Sequence, residues 1–117
     1  MIPFGHHIVT LYHKTADGYS RHLLHGCSWH SENERTLSEG TTIITERTTC
    51  RIPPQYICPF PGDLLILGNV AEEVHGDIEL VRLMERMRDG GFRAFRAQHC
   101  ADNTQGLPLP HFSAIGV

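Results

Sequence analysis

The stretch from Thr41 to Gly68 most limits what this chain can fold into. Its first half is dense in threonine and isoleucine, whose stiff β-branched side chains favour a pleated strand. Pro53 and Pro54 end that strand, because proline cannot donate to a ladder. Pro61-Gly62-Asp63 is turn chemistry, and Leu64 to Leu67 is a short apolar run closed by Gly68 and Asn69. Two strands of one small sheet or barrel are expected, joined by an ordered loop that carries Tyr56, Cys58 and Phe60.

The flanking chain supplies further strands. Ile8 to His13 is a first strand, and Asp17-Gly18 is a hairpin signal. Tyr19 to His30 alternates, with Tyr19, Leu23, Cys27 and Trp29 on one face and Ser20, His22, Ser28 and His30 on the other. Gly26 marks a bulge within it. Ser31 to Gly40 is polar and without period, and reads as a solvated loop. Residues 77–90 carry the one helical pattern, with Leu80, Val81, Met84 and Met87 at three- and four-residue spacing. Asp77 suits the start of that helix, Arg86 and Arg88 its last turn, and Gly90-Gly91 its end. Phe92 to Ala101 reads as another strand, and Asp102 to Gly106 as a turn. Residues 104–117 form an extended tail, in which two prolines forbid helix.

The expected fold is therefore mainly β: a small, partly open β-barrel or sandwich with one α-helix insert and an extended C-terminal tail. At 117 residues the chain suits a single domain over 1–117. With 40% hydrophobic and 20% charged residues, it has neither a disordered nor a membrane composition. No apolar run approaches the roughly 20 residues that span a bilayer, and no signal peptide is evident at the start. A net charge of −3 argues against a surface built to neutralise nucleic-acid phosphates.

Catalytic and metal constellations are weak. Cys27 and His30 have ligand-like spacing but point to opposite faces of a strand, and none of the four cysteines forms a Cys-x-x-Cys pair. Cys58 is the most exposed thiol expected, yet no base or helix start is placed to lower its pKa. No phosphate-binding glycine loop is present. No catalytic residue, metal or cofactor is assigned. Arg82, Arg86, Arg88, Arg93 and Arg96 form a local basic cluster, read as a solvated face or as a contact for an acidic partner or DNA.

Several pieces together resemble a family of small phage and prophage minor structural proteins found among head–tail connector components. They are Val9-Thr-Leu-Tyr-His-Lys14, Gly26-Cys-Ser-Trp-His30, Arg51-Ile-Pro53, Gly62-Asp-Leu-Leu65, Ala101-Asp-Asn103 and His111-Phe-Ser-Ala-Ile-Gly116. Their order and spacing hold over nearly the whole chain. The stretch between the proline turn and Gly62 is shorter than the resemblance would have it, and the helical insert longer.

The resemblance implies a non-enzymatic virion protein of the neck, present in the host cytoplasm during assembly. It would be a head-closure (stopper) or head–tail joining subunit in a homo-oligomeric ring between portal or adaptor and tail proteins. A tail-terminator or minor tail protein is the alternative, and a small metal- or thiol-dependent enzyme a distant one. Glu32, Glu34, Arg35, Glu39, Tyr56, Phe60, His111 and Phe112 are the candidate oligomer or lumen contacts, with packaged DNA passing nearby. The tail from Leu107 is expected to dock on a neighbour.

Overall fold

The first alternating segments call for a hairpin near Asp17-Gly18, and one forms, with its turn at Ala16-Asp17 and Gly18 opening the second strand opposite Thr15. The computed structural model describes residues 6–105 and 110–117. In it β1 (His7–Thr15) pairs antiparallel with β2 (Gly18–Ser38). There follow β3 (Thr41–Ile52), β4 (Leu64–Leu67), α1 (Asp77–Asp89), β5 (Ala94–Arg96), β6 (His99–Asn103) and β7 (His111–Gly116). The seven strands form one sheet in the order β5-β4-β1-β2-β3-β7-β6, antiparallel throughout.

The two outermost strands are consecutive in the chain, so the sheet curls towards closure. Only Ala97 and Gln98 separate them. The Ala97 N–H donates to the Asp63 carbonyl at 2.8 Å, and the Gln98 N–H donates to the Ile115 carbonyl at 2.8 Å. One kinked segment thus pairs with β4 on one side and β7 on the other. The result is the small, mainly β, partly open barrel with one helix that the sequence leads one to expect. Phe92 to Ala101 is divided by this kink rather than continuous, because its two halves serve different neighbours.

β4 explains why its sequence is apolar without alternation. Leu65 faces a core inside the curl with Val9, Leu11, Leu24, Cys50, Ile52 and Phe95. Leu64 and Ile66 face outwards against Leu80 and Leu83 of α1, together with Tyr12, Val70, Val74 and Ala94. A strand covered on both faces has no polar side to show. The helix buries Leu80 and Leu83, with Met84 and Met87 partly covered; Leu83 takes the central place that the spacing alone had not assigned.

Gly26 bends β2 as expected. Val9 pairs with Leu24 while His7 pairs with Cys27, so β2 carries one extra residue there, and Gly26 adopts φ 74°. The bulge shifts the alternation. Leu24 and Cys27 are buried, whereas Leu23, placed with Cys27 by strict period two, lies on the other phase.

Other expectations are corrected. Gly76 is the helix N-cap, with no side-chain cap; Asp77 instead accepts from the Tyr19 hydroxyl at 2.6 Å and the Lys14 Nζ at 3.1 Å. Burial and this carboxylate push the Tyr19 phenol up to about 12. The tail over 104–117 is extended but not free: His111–Gly116 is an interior strand between β3 and β7's other neighbour β6. Asp102 and Asn103 belong to β6 rather than to a turn. Gly106 to Leu109, including the expected docking start at Leu107, lie outside the described residues.

Candidate functional site

The largest departure from expectation is also the most prominent surface feature. Ser31 to Ser38 is not a loop but the outer half of β2. It pairs residue for residue with β3, from Ser28 opposite Arg51 to Ser38 opposite Thr41. Glu39 and Gly40 turn the chain with φ 51° and 78°, a two-residue hairpin of the kind that matches strand twist. β1 leaves β2 at Cys27, and β7 leaves β3 at Thr48. Beyond those points the hairpin is a two-stranded arm whose outer edges pair with no other described strand.

Pairing dictates what each face of the arm carries. Trp29 and Cys50 lie over the core. The same face continues outwards through Ser31 and Thr48, Asn33 and Glu46, Arg35 and Ile44, then Leu37 and Thr42. The opposite face carries Glu32 with Arg47, Glu34 with Thr45, and Thr36 with Ile43. Leu37 and Ile44 are 75% and 61% exposed. The arm is held by modest forces: Ser31 Oγ and Thr48 Oγ1 lie 3.0 Å apart, and Arg47 reaches Glu34 at 3.3 Å. Arg93 ties Glu46 to the body at 3.3 Å. The two exposed ion pairs contribute at most about 1 kcal/mol each.

A groove of about 560 Å³ runs along β3 at the base of the arm. Ile44, Glu46 and Thr48 form one side, and Arg88, Phe92 and Val117 the other.

The candidate contact residues fall into two groups. Glu32, Glu34, Arg35 and Glu39 all lie on the exposed arm, so the structure brings them together. Tyr56 does not join them: its ring packs on the core and its hydroxyl accepts the His25 N–H at 3.0 Å. Phe112 is likewise packed against the core from within β7, and His111 faces Asn103 across the sheet. Phe60 is exposed, with its ring 5.0 Å from that of His13. Ile44, Phe92 and Val117 were not picked out from the sequence. Their signal is three apolar residues left exposed, which only the folded surface reveals.

The basic cluster largely works inside the fold. Arg88 donates to the Ala94 and Val117 carbonyls, each at 3.0 Å. Arg96 holds the Gly62 carbonyl at 2.9 and 3.1 Å, and Arg86 pairs with Glu72. These roles weaken the reading of the cluster as a DNA contact.

A second cluster lies beneath Phe60. Asp63 is fully buried. Its Oδ2 meets His13 Nδ1 at 2.6 Å and the Phe60 N–H at 2.9 Å, and its Oδ1 accepts the Lys14 N–H at 3.0 Å. The Nε2 of His22 lies 2.8 Å from Ser20 Oγ, and its ring stands edge-on to His13. Burial first, and then the neighbouring His13, lower the His22 pKa. Its folded value therefore lies below the unfolded one of about 6.5, so the unfolded chain binds more protons as the pH falls below that value. Stability contributed by neutral His22 is present above pH about 6.5 and is lost below it. Urea midpoints should fall between pH 7 and 5.5, and less steeply in His22→Gln; equal slopes would show that His22 does not carry the effect.

The thiols are poorly placed for chemistry. Burial, then Asp63 and Cys58, push Cys100 up to about 11. Burial, then Asp102 and Asp63, raise Cys58. The hydrogen bond with Cys27 and deep burial raise Cys50. A nucleophilic thiolate needs the opposite shift. Cys27 is buried while His30 is exposed, as opposite faces require. No group of three or more His, Cys, Asp or Glu among the described residues has the geometry to hold a metal ion. No helix among the described residues is long and apolar enough to cross a membrane.

No curated protein and no solved structure matches this chain. A family model does: over residues 4–117 the chain matches DUF6751, a family of unknown function, and it belongs to that family.

Proposed function

We propose that this protein is a non-enzymatic virion subunit of a phage neck, forming a homo-oligomeric ring of head-closure or head–tail joining type. It meets portal or adaptor proteins on one side and tail proteins on the other, and assembles in the host cytoplasm. The observation that carries this reading is the arm. A barrel of this size gains nothing in its own core from a hairpin that projects past its last neighbouring strands. Unpaired strand edges and exposed isoleucine and leucine are instead what protein partners bind.

The phage-like segments support it by where they fall. Gly26 to His30 spans the point where β2 leaves the barrel, and Arg51 to Pro53 ends the returning strand. Gly62-Asp63 carries the buried carboxylate. His111 to Gly116 is the strand that completes the sheet beside the arm. The segments thus mark the arm's base and the barrel's closure. Between Ser31 and Thr48 the arm has four acids, Glu32, Glu34, Glu39 and Glu46, against two bases, Arg35 and Arg47. An acidic arm lining a channel repels passing DNA rather than binding it.

Virions assembled without the protein test the reading. Loss of packaged DNA or of tails is expected, and intact tailed particles that retain DNA would refute it. A reconstruction of the neck places the ring on the head side, as proposed, or on the tail side, where a tail terminator would sit. Shortening the arm by replacing Thr36 to Ile43 with Asn-Gly should leave the barrel folded, because the removed residues are exposed. Its unfolding free energy should change by no more than about 1 kcal/mol, while incorporation into particles is lost.

A further inference from the structure

The two free edges of the arm are complementary, and we propose that they bind each other between copies of this chain. The outer edge of β2, along Ser31 to Ser38, adds to the outer edge of β3, along Thr41 to Arg47, in the next subunit. This rests on the ring reading above and names the contact that builds the ring.

Four observations carry it. The edges are of similar length, and neither holds a proline, lysine or bulge that would block strand addition. β7 stops opposite Thr48, so β3 has room for another strand in line with β7. A neighbour's β2 runs in the same direction as β7, which preserves antiparallel pairing with β3. Of the nine exposed large apolar side chains described, five (Leu37, Ile43, Ile44, Phe92 and Val117) lie on the arm or in the groove beside β3. A strand laid on that edge flanks Ile43 on one face and lies beside Ile44, Phe92 and Val117 on the other, while Leu37 travels with the β2 edge that docks.

Charge selects which edges meet. The arm half of β2 is net acidic, with Glu32 and Glu34 against Arg35, whereas the groove beside β3 is net basic, with Arg88, bonded to backbone carbonyls, and Arg93, paired with Glu46. Pairing β2 with β2 sets like acids together, and pairing β3 with β3 sets the arginine-lined grooves together. Pairing β2 with β3 opposes unlike charges. This is a head-to-tail contact between different surfaces, which closes into a ring when the rotation per subunit allows.

Cross-linking of full-length protein tests it. In a background with Cys58 and Cys100 changed to serine, Thr36→Cys marks the β2 edge and Thr45→Cys the β3 edge. The two proteins, tagged to differ in size, are mixed and treated with a short bis-maleimide. Cross-links between the two variants, with little within either alone, are expected. Cross-links confined to Thr45→Cys with itself would show a two-fold contact and overturn the proposal. No cross-link, while the parent protein still forms oligomers, would overturn the edge pairing and leave the ring reading standing. A parent protein that stays monomeric at all concentrations and is absent from virions would overturn both. Ile44→Lys supplies an independent measurement: subunit affinity should fall at least tenfold with an unchanged urea midpoint, and unchanged affinity would count against the proposal.

Discussion

Asp63→Ala is expected to cost about 3–5 kcal/mol, the upper end of single-site losses, reached when a buried hydrogen-bond network is broken. That is a large share of the roughly 5–15 kcal/mol that holds a domain together. The carboxylate sits at 0% exposure and satisfies three donors drawn from two segments: the Phe60 and Lys14 N–H groups and the His13 ring. Alanine leaves two backbone N–H groups and an imidazole without their acceptor, and buried donors without partners are costly. It also frees the turn before β4 from the end of β1. Asp63→Asn should be milder, since its one carbonyl oxygen still accepts while its amide nitrogen faces donors. Urea denaturation of the three proteins gives the order wild type, Asn, Ala. A loss below about 1 kcal/mol for alanine would mean that water replaces the carboxylate, and that the cluster is not a structural node.

Gly116→Ala should be almost as damaging, for a steric reason. A Cβ built at Gly116 runs into the Arg96 carbonyl oxygen and meets the Phe95 ring at 2.5 Å. The oxygen belongs to the backbone, so no rotamer change relieves the clash. β7 would have to move away from the β5 segment, opening the seam where the sheet curls shut. Overpacking of a well-filled site costs up to about 3 kcal/mol, occasionally more, which corresponds to a fall of roughly 10 °C in Tm. Gly76→Ala is the control: nothing lies within 4 Å of its added Cβ, and its φ of −153° is ordinary extended backbone. It should lose no more than about 1 kcal/mol, the worth of a helix N-cap. Equal Tm values for wild type and Gly116→Ala would show that the seam is looser than its geometry indicates.

How far the fold is legible depends on whether a segment's neighbours are local. The helix over 77–89 is visible because its buried stripe recurs at its own period. The β1–β2 hairpin is visible because its turn chemistry and first alternation are adjacent in sequence. The bulge at Gly26 is visible as a glycine within a strand pattern, but not the phase shift it causes. The arm is the opposite case. Ser31 to Ser38 has neither face buried, so no apolar period is written into it. It becomes a strand only because the threonine- and isoleucine-rich segment opposite supplies a ladder. Asp63 is similar: by sequence it is a turn residue, and only the approach of β1 makes it a buried acceptor.

Of the candidate contacts, the acidic residues and Arg35 are legible as a polar surface. Tyr56 and Phe112 are misleading, because an aromatic beside prolines or in a terminal segment looks free until the sheet wraps over it. The sequence by itself determined the β-rich character, the helix and the two proline-bounded strands of the central stretch, since these follow from stiffness, turn chemistry and local period. The tertiary structure alone decided which polar segment projects, which carboxylate is buried and where the sheet closes. Those outcomes depend on contacts between residues distant in the chain, and such contacts leave no local period to read.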